Sequence, residues 1–151
     1  MNKINRKVEY ALMALKHMRA KAPGELTSAK EICDAYGAPF DGMSRVLQVL
    51  GQKGILKSEQ GAQGGYQITR DLSKVSLQEI IESITGKIEI AKCLSTGASD
   101  GCDIKSSCNI ISPVMVLNKK LTEFYKTLSV AELIETKSRV RSVSEGLDLG
   151  H

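Results

Sequence analysis

The chain has little of what an enzyme or a membrane protein needs. Its 151 residues include only two histidines, His17 and His151. No nucleophile–base constellation and no phosphate-binding loop accompany them, which excludes the common catalytic motifs. No run of about 18 apolar residues appears, so nothing is expected to span a membrane as a helix. The first residues, MNKINRKVEYALMALKHM, are basic and then apolar. Glu9, Lys16, His17 and Arg19 interrupt the apolar part, and no small-residue cleavage site follows. The segment reads as an amphipathic helix rather than a signal peptide. The expected compartment is therefore a reducing cytoplasm, where clustered cysteines serve metals or redox chemistry more often than disulfides. No internal repeat is visible.

What is present supports one core. The chain is 42% hydrophobic, enough for one compact domain plus an appendage. The net charge of +4 is unevenly placed. Residues 1–75 carry 12 Lys/Arg against 7 Asp/Glu, a net +5, and residues 76–151 carry 9 against 10, a net −1. The positive first half is compatible with nucleic-acid binding there, and also with an ordinary solvated surface.

Cys93, Cys102 and Cys108 stand together in CLSTGASDGCDIKSSC. Three thiols cannot all pair within the segment. Glycine, serine and aspartate let the backbone wrap a compact centre, and thiolates gathered this way suit an iron–sulfur cluster or zinc. The plain alternative is three unrelated loop cysteines. Cys33 lies far from them beside Ile32 and is expected to pack as a small hydrophobe.

Val8, Ala11, Leu12, Leu15 and Met18 recur at helical spacing, which predicts a first helix over about residues 5–20. Ser28 with Glu31 reads as a capping box opening a second helix, with Ile32 and Ala35 facing inward. A third helix is predicted over about residues 41–52. Met43, Val46, Leu47 and Leu50 form its apolar stripe, and Asp41, Ser44, Arg45, Gln48 and Gln52 its polar face. ILKS from residue 55 and YQITR from residue 66 are strand candidates around a glycine-rich hairpin tip. Three helices and then a hairpin is the order of a winged helix-turn-helix, whose third helix enters the major groove of double-stranded DNA.

Ser76 with Glu79 opens another helix, ended by Gly86. A long helix follows over about residues 112–128, with Pro113 in its first turn. Val114, Leu117, Leu121, Phe124 and Leu128 give it an apolar stripe. A second copy of the chain is the simplest partner for that stripe, and packing on its own domain is the alternative. Ser129 begins a short last helix, and residues from 137 onward read as a polar, frayed tail.

These stretches together resemble the winged-helix iron–sulfur transcription regulators of the IscR/NsrR type. The resemblance covers about residues 1–135. It rests on VEYALMAL from Val8, EQGAQGGYQITR from Glu59, VSLQEIIESITG from Val75, the three cysteines and TLSVAEL from Thr127. It implies a mainly α fold in four parts. These are a winged helix-turn-helix DNA-binding domain (1–86), an irregular cysteine-rich cluster loop (87–111), a long dimerisation helix with a short terminal helix (112–136) and a flexible tail (137–151). It implies a homodimer on a DNA operator, and a 2Fe–2S or 4Fe–4S cluster held by Cys93, Cys102, Cys108 and a non-cysteine ligand. In the IscR type a histidine shortly after the third cysteine completes the site, but here Asn109 follows Cys108. In the NsrR type a carboxylate on the first helix of the partner subunit does so, and here Glu9 occupies the matching place. Water, Asn109, Asp103, a small thiol and His17 are the other candidates, and a surface carboxylate beside Arg6 or Lys7 is the plain reading of Glu9. Eight residues separate Cys93 from Cys102, more than is usual in the family.

On the third helix, Arg45 suits guanine, Gln48 suits adenine and Ser44 suits base or phosphate. Asp41 is expected to cap that helix. Lys30, Lys53 and Lys57 are phosphate candidates. At the wing many relatives carry an arginine, suited to the minor groove. Gln60 stands there instead, with Gln63 nearby, so uncharged hydrogen bonding is expected from the tip. The expected function is DNA-binding transcription regulation, switched by a cluster sensing nitric oxide, redox state or iron status. A cofactor-free or thiol-switched regulator of the same fold and a zinc-stabilised interaction module are the rivals.

Overall fold

The computed structural model describes residues 4–90 and 107–136. Cys93, Cys102 and the tail from residue 137 lie outside the described residues.

The first helix, α1 (Arg6–Arg19), starts where Asn5 Oδ1 accepts the Lys7 N–H at 2.9 Å. Its inner face, Val8, Ala11, Ala14, Leu15 and Met18, is buried. Helix α2 (Ala29–Tyr36) is capped by Ser28, whose Oγ accepts the Glu31 N–H at 3.1 Å. It ends on Gly37 at φ 71°, the left-handed conformation that glycine enters without strain. The reciprocal arm of the expected capping box is diverted, because the Glu31 carboxylate bonds Lys21 and His17 instead. Ile32 is buried, but Ala35 is exposed, because the eight-residue helix covers the core through a narrower stripe than the spacing predicted.

Helix α3 (Phe40–Gln52) buries Met43, Val46, Leu47 and Leu50 as the periodicity predicts. Its cap is Pro39, without a side-chain bond, and Asp41 falls inside the first turn. Asp41 therefore does not cap the helix, contrary to the sequence expectation. The helix starts one residue earlier, and the Asp41 carboxylate acts on its positive end as a charge instead. Strands β1 (Leu56–Glu59) and β2 (Gly65–Ile68) pair antiparallel, with Leu56 opposite Ile68 and Glu59 opposite Gly65.

β2 has a second neighbour that the sequence did not reveal. Thr27 and Tyr66 exchange both backbone hydrogen bonds, at 2.9 and 2.8 Å. The approach is close enough that a Cβ on Gly65 would stand 2.8 Å from the Thr27 carbonyl oxygen. The hairpin is thereby anchored to the segment between α1 and α2.

A 3-10 turn (Leu72–Lys74) leads to α4 (Leu77–Thr85), capped by Ser76. The Glu79 carboxylate again turns away from the cap and pairs with Arg70. Helix α5 (Ile111–Thr127) has no buried residue. Its stripe divides: Val114, Leu121 and Leu128 are half-buried on their own chain, whereas Leu117 and Phe124 are exposed together with Met115 and Val116. After α5 the chain returns to the core. Leu77 N–H donates to Leu128 O, and Val130 N–H to Val75 O, each at 2.8 Å. Helix α6 (Val130–Glu135) thereby adds Val130, Ala131 and Ile134 to the core formed by α1, α3 and α4.

Candidate nucleic-acid interface and cysteine site

The inner stripe of α3 sets its outer face. With Met43, Val46, Leu47 and Leu50 turned into the core, Arg45, Gln48 and Gln52 are exposed and Ser44 is half-buried. Of the four described arginines, Arg6, Arg19 and Arg70 pair with Glu9, Glu135 and Glu79. Arg45 makes no hydrogen bond or ion pair among the described residues. Its donors remain available to an outside acceptor, and a guanidinium can meet a guanine edge or a phosphate with two parallel bonds.

The hairpin stands beside the second half of α3. Gln48, Gln52, Gly54, Lys57, Ser58 and Tyr66 line a cleft between them. At its tip Gly61 takes φ 128°, a conformation open to glycine and strained for other residues. Gln60 and Gln63 are exposed there. Lys53 and Lys57 are exposed, and Lys57 lines the cleft. Lys30 differs: its ammonium donates to Asp34 at 2.9 Å, and that hydrogen bond raises its pKa above the ordinary lysine value. The carboxylate competes with any phosphate for this lysine.

Of the expected metal ligands, Glu9 and Cys108 lie in the described residues. Glu9 is in the first turn of α1, exposed, and its Oε2 accepts from Arg6 Nη1 at 2.8 Å. Cys108 is half-buried just ahead of α5. Among the described residues no three His, Cys, Asp or Glu side chains come together as a metal site. The start of α1 does meet the lead-in to the cysteine segment. Ile4, Val8, Ile81, Ile90, Leu121 and Tyr125, with polar neighbours such as Asn5 and Glu89, line one cleft between α1, α4, residues 87–90 and α5.

His17 and Cys33 fall to structural roles. His17 Nδ1 lies 2.8 Å from the Tyr36 hydroxyl and Nε2 lies 2.8 Å from Glu31 Oε2, so both ring nitrogens tie α1 to α2. Cys33 is half-buried against the core, less covered than expected. Burial first, and the neighbouring Asp34 charge second, push its thiol pKa up and keep it protonated.

Phe40 departs from its sequence pattern. Its place three residues before Met43 and seven before Leu47 would assign it to the inner stripe. It is 56% exposed because the helix begins there, at the edge of what the core covers.

The chain is similar to the helix-turn-helix-type transcriptional regulator NsrR of Bacillus subtilis strain 168. It is 26% identical over 145 residues, which cover 91% of this chain and 94% of that protein. Its structure is similar to that of CymR, the global cysteine regulator of B. subtilis, with a TM-score of 0.67 at 19% identity, over 91% of this chain and 100% of the other. IscR of T. potens superposes with a TM-score of 0.64 at 21% identity, over 89% and 87%. At these identities the structural likeness establishes the fold, a winged helix. No described helix is long and apolar enough to cross a membrane. The family profile described as iron-dependent transcriptional regulators matches residues 4–136. Its members, and the relatives named here, are transcription regulators and not enzymes. With that match spanning both α3 with its wing and α5, the chain belongs to the Rrf2 family of DNA-binding transcriptional regulators.

Proposed function

We propose that the protein is a homodimeric regulator. Its α3 and wing bind operator DNA, and an iron–sulfur cluster held by Cys93, Cys102, Cys108 and Glu9 of the partner subunit controls that binding. The observation that carries the DNA contact is Arg45, unpaired among the described residues, on the exposed face with Gln48, Ser44 alongside and Gln60 and Gln63 at the tip of the neighbouring wing. Arg45 and Gln48 read base edges, Ser44 takes base or phosphate, and Lys53 and Lys57 position the backbone.

The donor set suits such a cluster. Three thiols fall within 16 residues, and Cys108, the one described, is half-buried rather than sealed in the core. Glu9 presents its carboxylate outside the core, where among the described residues it pairs with an exposed arginine. When bound, the cluster supplies iron that is open to nitric oxide or oxygen, and a carboxylate ligand, harder than thiolate, leaves one iron labile. The protein's own part is the link from α1 to α3. Tyr10, next to Glu9, lies against Gly42: a Cβ on Gly42 would stand 3.2 Å from Tyr10 Cε2. Movement at the start of α1 therefore reaches the first turn of α3 through direct packing, and changes how two recognition helices fit their half-sites.

The test is anaerobic purification with iron, sulfide and visible-absorption analysis, then operator binding before and after nitric oxide. Stoichiometric iron and sulfide, bleaching on nitric oxide and an altered DNA affinity are expected. Colourless protein with zinc or no metal after reconstitution would overturn the cluster and leave a thiol-switched or cofactor-free regulator.

A further inference from the structure

We propose that Phe40 is a specificity-determining residue which reads the 5-methyl group of a thymine in the major groove; the inference rests on the DNA-binding reading above. The chain contains only two phenylalanines, Phe40 and Phe124, and both are out of the core, at 56% and 55% exposure. Phenylalanine is among the residues most often buried, and an exposed ring gains meaning from where it stands.

For Phe40 the place of the ring names a partner. It is the first residue of α3. Ser44 and Gln48 follow it at intervals of four, in one row along the helix surface, and Arg45 lies alongside. The ring thus continues the face assigned to DNA toward the N-terminal end of the helix. That end is the part of a recognition helix that meets base edges. On the other flank of the same turn Gly42 abuts Tyr10 of α1, so the turn is held from that side and Phe40 stands on the open one. A benzene ring offers no strong hydrogen bond. The one apolar group on a major-groove base edge is the thymine methyl, and apolar contact with it discriminates thymine from cytosine and from uracil.

Selection of binding sites from a random DNA library, using the full chain purified anaerobically, defines the operator. Single thymines are then replaced by deoxyuridine, which removes only the methyl group. We expect one thymine in each half-site whose replacement weakens wild-type binding about fourfold, the scale of one buried methyl. Phe40→Ala binds the two DNAs alike, Phe40→Leu keeps most of the difference, and Arg45→Ala loses affinity while retaining it. Equal binding of thymine and deoxyuridine at every position overturns the proposal, as does a selected site without thymine, or a methyl effect that persists in Phe40→Ala. In those cases a selected, specifically bound site still upholds the DNA-binding reading. If no sequence is enriched, that reading fails first and takes the proposal with it.

Discussion

At Glu31 the carboxylate accepts from Lys21 Nζ at 2.7 Å and lies 2.8 Å from His17 Nε2. The Lys21 hydrogen bond, more than that of His17, holds the Glu31 pKa below the ordinary carboxylate value. A depressed carboxylate pKa stabilises the fold above the unfolded value and loses that contribution as pH falls through the folded one. We predict that thermal stability declines more steeply below about pH 4.3 in the wild type than in Glu31→Gln. Because the side chain is 41% exposed, the loss in the variant at neutral pH is held to about 1 kcal/mol or less. Parallel melting curves from pH 7 to pH 3 show it, and identical acid limbs would refute it. Arg45 is the contrasting case. Its lack of a partner among the described residues could not be read from a sequence in which every arginine looks alike. The pairs that occupy Arg6, Arg19 and Arg70 form between residues 3, 116 and 9 positions apart.

Among the elements, α5 is the one its own chain leaves incomplete. Leu117 and Phe124 are more than half exposed, with Met115 and Val116 beside them, while Val114 and Leu121 are half-buried on a helix that packs against α4. In the proposed homodimer an apolar face of this extent would be the interface, and a second α5 would meet the same residues by symmetry. We predict that Leu117→Glu with Phe124→Glu converts a dimer to a monomer in sedimentation equilibrium, with the helical circular-dichroism signal retained. A monomeric wild type, or a double variant that still sediments as a dimer, would sink the proposal. The stripe itself was legible at helical spacing. Its division into a half-buried and an exposed side was not, because only the docking of α5 on α4 decides which side faces inward. The caps show the same limit. Ser28, Ser76 and Ser129 each cap a helix as their spacing announced. The glutamates expected to reach back, Glu31 and Glu79, serve pairs to distant lysine and arginine instead.

Across the whole molecule, α1 joins the two proposed activities. Its first turn carries Glu9, its middle meets α3 at Gly42 through Tyr10, and its end is tied to α2 through His17. We predict that Glu9→Ala retains less iron and sulfide, or bleaches faster with nitric oxide, while the metal-free variant melts within about 0.5 kcal/mol of the wild type, since only a surface pair is lost. An unchanged spectrum and unchanged reactivity would remove Glu9 from the site. The sequence by itself determined the order of elements, the buried stripe of α3, the serine caps and the clustering of three thiols. These follow from local periodicity, cap chemistry and spacing along the chain. Only the tertiary structure decided that Pro39 rather than Asp41 precedes α3, that Thr27 flanks the wing, that α6 returns to the core and that Arg45 and Phe40 are exposed on one face. Each of these depends on which surfaces meet at long range, and that is set by the packing of elements rather than by the pattern within any one of them.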